Sequence, residues 1–408
     1  MKKLLTLFTI FSLVSAYTQE FIEFTPSETT NPIFDILMSN DTIVKFDVTI
    51  PGMFETEIDS FARVNIKEHS RMDSVGFPEL PFVSFLVAIP DCDSVNLQLS
   101  LLDSVQYNNY NIYPSPRLVP DTLPGGGIAL VEQFEYDRSA YETDAMFPGY
   151  AGEVLDQGAI RAQHVIRVVL YPLQFNPVKD ILKVYSEFQI MLTFNNPVGG
   201  LQKNVGFFNE VVGNSVINYQ SNGLNASVSC GSGKDNLGTW KWVTDLSAGY
   251  VEDTCDYLII TNQEFYNDTV SKKEIDSLAA HRASFNGFDV VVVKMDNIVS
   301  AFLTGTPTEK MFKLIRNTFN DGYANHTYDG KLAYVNLFGD VYFGSDTINK
   351  CVPTWPYYNP LGYDVYFTQL TQQGSTYDIY PDIMIGHCSV DDNEQVQNVV
   401  HKILNFTS

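Results

Sequence analysis

His387 and Cys388 stand side by side in the stretch PDIMIGHCSV, at the end of an apolar run. A thiol and an imidazole are what a cysteine peptidase needs: the thiolate attacks a carbonyl carbon and the imidazole moves the proton. The location favours reactivity, because Cys388 falls between a strand end and the start of a helix, where a helix amino terminus stabilises a thiolate. Ser389 or Asp391 is suited to cap that helix. The spacing argues the other way. Neighbours on an extended chain project to opposite faces, so this pair converges only if the backbone has already turned. We read His387 and Cys388 as structural residues and assign no catalytic residue.

The other reactive side chains are scattered. Asp340 follows an apolar strand pattern, where it fits a turn with an Asx hydrogen bond or, alternatively, an ion-binding role. His164 falls on a strand, His281 on a helix and His326 in a loop, each without a cysteine partner indicated by the sequence. Cys351 has no strand before it to present it as a nucleophile. The five cysteines are widely spaced and odd in number, which argues against a disulfide scaffold. CxxC and HExxH are absent, which argues against zinc. The GSGK at Gly231 to Lys234 continues into Asp235, with no strand ahead of it, and fails as a phosphate loop.

Forty-eight acidic residues face 25 Lys and Arg, a net charge of -23, so the surface repels nucleic acid and anionic lipid. Lys2, Lys3, the apolar run Leu4 to Leu13 and the small residues ending at Ala16 form a signal-peptide pattern. Residues 1–16 are therefore expected to direct export, placing the protein outside the cell or at its surface. No later run is long and apolar enough to span a bilayer.

Two kinds of element must position these residues. From about Thr42 to about Asn195 the pattern is all-β. In ILKVYSEFQIMLTF, Leu182, Val184, Phe188, Ile190, Leu192 and Phe194 share one face, the period-two signature of a half-buried antiparallel strand. Many short strands with Pro and Gly turns predict a β-sandwich over residues 17–200. Residues 201–252, rich in Gly, Ser and Asn at their centre, read as a linker. From Cys255 the strands YLIIT, DVVVVKM, LAYVNLFGD and DIMIG alternate with helices, which predicts a parallel sheet covered on both sides.

The order YLIITNQEF, LAAHRASFNGFDVVVVKM, LAYVNLFGD, YDVYFTQL, YPDIMIG resembles the gingipain family of cysteine peptidases. Asp364 and Tyr366 stand at its Asp-Tyr segment; Pro381, Asp382 and Gly386 match its PDIxIG strand. Further upstream, Gly76, Pro78, Pro81, Pro90, Tyr141, Pro148, Asn176 and Pro177 resemble the family's propeptide. The resemblance implies a multidomain chain: an N-terminal antiparallel β-sandwich, then the first part of a three-layer α/β caspase-like domain over 253–408. It also implies a Cys-His dyad, carried on two later strands of the sheet. The expected catalytic His and Cys, and the groups selecting the P1 side chain, therefore lie beyond Ser408, so the domain is expected to be incomplete within these residues. At His387 the family carries an Arg that is neither nucleophile nor base; His387 is expected to do a weaker version of its positional job, unless the site has decayed.

The resemblance thus implies a secreted cysteine endopeptidase acting on proteins or peptides, with no required cofactor, calcium as a candidate structural ion with unassigned ligands, and the secretion machinery as a candidate partner. Between Lys203 and His281 there is no Arg, so release of the N-terminal region, if it occurs there, is not Arg-directed. Two other readings stay open: a non-catalytic binding or remnant protein, and a transpeptidase resembling the type IX secretion sortase.

Overall fold

The computed structural model describes residues 19–122, 128–161, 163–200, 208–219, 238–251, 255–325, 332–341, 351–354, 364–370, 372–373, 376–377 and 380–406. The leader at 1–16, the GSGK stretch and His326 lie outside them.

The period-two stretch is one long strand, Ile181–Asn195, with Leu182, Val184, Phe188, Ile190 and Leu192 fully buried. Along one edge it pairs antiparallel with Ser94–Asn108; along the other it takes Leu173–Asn176 and Ile43–Thr49 in turn. A second antiparallel sheet runs Gly152–Ile160, Gln163–Leu170, Val83–Ala88, and a third Gln19–Glu23, Gly52–Ile58, Phe61–Asn65. Their apolar faces share one core that includes Phe46, Val64, Val168 and Phe188. Residues of this class each contribute about 1.5–3 kcal/mol when withdrawn from water.

The α/β body is built on five parallel strands: β1 (Trp240–Trp242), β2 (Tyr257–Thr261), β3 (Val290–Lys294), β4 (Tyr334–Phe338) and β5 (Met384–Cys388), in the order β1-β3-β2-β4-β5. Helices cover it, the longer ones being α1 (Thr269–Asn286), α2 (Met295–Ala301), α3 (Pro307–Asn325) and α4 (Asn393–Phe406). Ile275 and Leu278 of α1 and Val396 and Val400 of α4 pack with Ile259 and Val292 in one core. Ile298 of α2 and Met311 and Leu314 of α3 pack with Leu258, Val291 and Leu337 in another. The alternate residues of β2 and β3 thus feed opposite cores, which is why these strands read as continuous apolar runs. Helix α1 ends where the sequence indicates: Gly287 adopts φ 70°, the left-handed cap that costs glycine least.

The stretch read as a linker, 201–252, contributes to both bodies. Phe208–Ser215 is a helix, and the turn after it is tied to the antiparallel region: Ile217 N–H donates to Leu86 O at 3.0 Å, and the Asn218 amide brackets Ala88, accepting its N–H at 2.7 Å and donating to its O at 3.0 Å. Strand β1 lies in the same stretch. A short helix amid Gly and Asn and a three-residue strand are too brief to show periodicity.

Candidate active site at the carboxyl edge of the parallel sheet

The loops after parallel strands converge beyond the strands' carboxyl ends. Here that edge gathers Thr261 of β2 and Asn262 after it, Lys294 of β3, Gly339 and Asp340 after β4, and His387 and Cys388 of β5. Lys294 Nζ donates to Gln263 Oε1 at 2.9 Å and lies 4.1 Å from the centre of the Tyr266 ring.

The strand does not stop before Cys388, as the sequence suggested; β5 includes both residues, with His387 opposite Leu337 and Cys388 opposite Phe338. Their side chains consequently part. His387 turns to the 3-10 turn Asp364–Thr368: Nδ1 lies 2.8 Å from Asp364 Oδ2, and Nε2 lies 2.9 Å from Gly339 O. Both neighbours are acceptors, so a ring carrying a proton on each nitrogen donates to both. Asp364 Oδ1 is buried with no hydrogen-bond partner among the described residues.

Cys388 packs on the opposite face, in the cluster with Phe338 and Val400. Burial pushes its thiol up, opposed by a hydrogen bond with the Asn336 side chain. Helix α4 begins at Asn393, and its cap is Asp392 rather than Ser389 or Asp391: Gln395 N–H donates to Asp392 Oδ1 at 2.8 Å, while the Gln395 side chain reaches back past the cap, its Oε1 accepting Asp391 N–H at 3.1 Å. A half-buried thiol within a strand has lost the thiolate stabilisation that a helix start would give it. Cys388 is accordingly expected to alkylate roughly tenfold or more slowly than a free cysteine. Timed iodoacetamide labelling with mass spectrometry of the Cys388 peptide checks this.

Asp340 opens a two-residue strand, Asp340–Val341, parallel to Cys351–Val352. It faces Asp391, and that carboxylate holds the Asp391 proton above the usual aspartate range. A raised carboxyl pKa in the folded state means that stability declines as pH rises from the ordinary aspartate range through the raised value. Asp391→Asn is therefore expected to raise the melting temperature near neutral pH and to change it little in acid. The gain stays below about 1 kcal/mol because these charges are solvated. Thermal melts at both pH values check it.

Gly339 joins the strand ends. Its N–H donates to Cys388 O at 3.1 Å and its φ is 153°. A Cβ there would meet Val352 Cγ2 at 3.0 Å and Asn262 Nδ2 at 3.1 Å.

The remaining sequence candidates lie apart from one another. His164 is in Gln163–Leu170, opposite Ala159, and His281 stacks on Phe285 in α1 with ring centres 5.1 Å apart. Cys351 is buried. Among the described residues no three His, Cys, Asp or Glu side chains gather as a metal site. The sequence gives no sign of the pairing of His387 with Asp364. Each stands in a recognisable motif, but nothing in either motif indicates that the other faces it.

Comparison with known proteins gives a consistent result. Residues 250–408 match the model described as peptidase family C25, and residues 27–226 match Propeptide_C25. Gingipain R2 of Porphyromonas gingivalis is 22% identical over 206 residues, which is 47% of this chain and 27% of that protein. Lys-gingipain HG66 of the same organism is 27% identical over 146 residues, 34% of this chain and 8% of that protein. The chain thus spans about a quarter or less of the length of these relatives. Among solved structures, the complex of Porphyromonas gingivalis RgpB pro- and mature domains aligns at TM-score 0.38 and 21% identity, covering 46% of this chain and 99% of that one. The gingipain K zymogenic-latency structure aligns at TM-score 0.36 and 19% identity, covering 44% and 99%.

Proposed function

The chain belongs to the gingipain family of cysteine peptidases, family C25, and from that premise we propose that it is the precursor part of a secreted cysteine endopeptidase. In this reading residues 1–16 are a signal peptide, the antiparallel region is a propeptide β-sandwich, and the α/β body is the first part of a caspase-like catalytic domain. The substrates are proteins or peptides. The nucleophilic Cys and its His stand on strands that continue the sheet past β5. There the thiolate attacks the peptide carbonyl, the imidazole transfers the proton to the leaving amine, and backbone N–H groups hold the oxyanion.

The observation that carries this reading is the outer edge of β5. Among the described residues β5 pairs only with β4, along one of its two edges. Its outer edge accepts a further strand, as does the outer edge of β1, which among the described residues pairs only with β3. His387 and Cys388, on opposite faces of β5, supply no dyad.

The test is peptide cleavage by the complete gene product secreted from its own cells. Cys388→Ala is expected to leave kcat/KM within about twofold of wild type, because surface or structural changes away from reacting groups cost little catalysis. A product that cleaves no peptide, or a Cys388→Ala variant without activity, would overturn the proposal.

A further inference from the structure

We propose that Arg161, at a hairpin tip, is the anchor by which the antiparallel region seats on the α/β body, at the amino edge of the parallel sheet. This rests on geometry alone and stands whether or not the peptidase reading does.

Arg161 follows the strand Gly152–Ile160 at the turn into Gln163–Leu170, with φ 53°. A bulky residue in the left-handed region is uncommon and costs about 1–3 kcal/mol unless its surroundings demand it. The demand is visible. Arg161 leaves its own body: Nε donates to Asp382 O at 2.8 Å, Nη2 donates to Leu332 O at 2.6 Å, and its backbone N–H donates to Asp382 Oδ1 at 3.3 Å. Its guanidinium lies 5.5 Å from the centre of the Phe319 ring of α3. Leu332 precedes β4 and Asp382 precedes β5, so the contact is on the edge opposite His387 and Gly339.

The receptor is itself fixed. Asp382 is fully buried; its Oδ2 accepts Leu370 N–H at 2.8 Å, and its N–H donates to Thr368 O at 2.8 Å. The Pro381-Asp382 motif, which looks in the sequence like the entrance to a strand, here receives a cation from another body. Around the contact Ile160, Val165, Val216 and Tyr219 pack with Ala333 and Tyr380 in one buried cluster. Tyr380 Oη donates to Asp156 O at 3.1 Å. A guanidinium whose planar fork spans carbonyls of two strand ends reads their spacing, which a point charge does not.

It follows that the antiparallel region stays bound as a noncovalent subunit when the chain is cut between the bodies, and that release requires breaking the Arg161 contact. The experiment uses the full chain with a recognition site for a sequence-specific protease placed within residues 221–237. After cutting, one piece is pulled down by an affinity tag and the dissociation constant is measured. Wild-type pieces are expected to copurify. Arg161→Ala should weaken the complex about a hundredfold or more, since truncating a buried charged donor leaves its acceptors unpaired. Tyr380→Phe should weaken it less than about tenfold, the scale of one neutral hydrogen bond. If Arg161→Ala fails to fold before cutting, as judged by circular dichroism, Arg161→Lys replaces it, with a loss of about tenfold or more expected. Wild-type pieces that separate on cutting, or Arg161 variants that hold as tightly as wild type, would overturn the proposal.

Discussion

Gly339→Val is expected to destabilise the α/β body by about 3 kcal/mol or more. Two costs combine. The backbone at φ 153° is a conformation that only glycine occupies readily, worth about 1–3 kcal/mol to any other residue. A side chain would also press on Val352 and Asn262, both fully buried, and overpacking costs about 1–3 kcal/mol. Neither neighbour yields easily. Asn262 Oδ1 accepts Phe265 N–H at 2.8 Å and caps the helix Gln263–Asn267, and Val352 is part of the core under α3. A shift of Gly339 would also disturb its bonds with Cys388 and His387. Calorimetry should show the transition of the α/β body falling by several degrees. A variant melting with wild type would mean that the loop after β4 adapts, and that the strand ends are not held as described.

His387→Ala is expected to cost about 2–4 kcal/mol, the range for removing one partner from a buried charged hydrogen bond. The His387 side chain is 10% exposed and that of Asp364 is 23% exposed. Without the imidazole, the Asp364 carboxylate loses Nδ1 while its other oxygen already has no hydrogen-bond partner among the described residues. Gly339 O loses Nε2 at the same time. His387→Arg is the informative companion. An arginine offers donors to both acceptors at every accessible pH, so it should retain wild-type stability or exceed it. Thermal melts of both variants check this. Two variants equally destabilised would mean that ring shape, not hydrogen bonding, matters at this position.

The residues explain why some of this is legible in the sequence. Tyr257 to Thr261 and Val290 to Val293 are buried on both faces, so apolarity alone marks them as parallel strands. Leu182 to Phe194 alternates because only one face meets the core, and the alternation fixes the register of its side chains. Neighbours such as His387 and Cys388 diverge by strand geometry, a rule that needs no coordinates. The contacts that give these residues their roles are different in kind. His387 meets Asp364 and Gly339, and Arg161 meets Leu332 and Asp382, across long stretches of chain. No local periodicity encodes such meetings. The left-handed backbone at Arg161 is equally silent, since arginine carries no preference for it. The capping residue of α4 falls between these cases: Ser389, Asp391 and Asp392 are all suited by type, and only the helix start at Asn393 selects Asp392.

The central claim is that this chain is the forepart of a gingipain-type peptidase whose nucleophile lies on a strand beyond β5. The most direct measurement treats the complete, secreted gene product with a peptidyl acyloxymethyl ketone and locates the modified residue by mass spectrometry. The expected result is a single labelled cysteine after Ser408, with Cys388 unmodified. Label on Cys388, or a labelled product that contains no residue after Ser408, would contradict it.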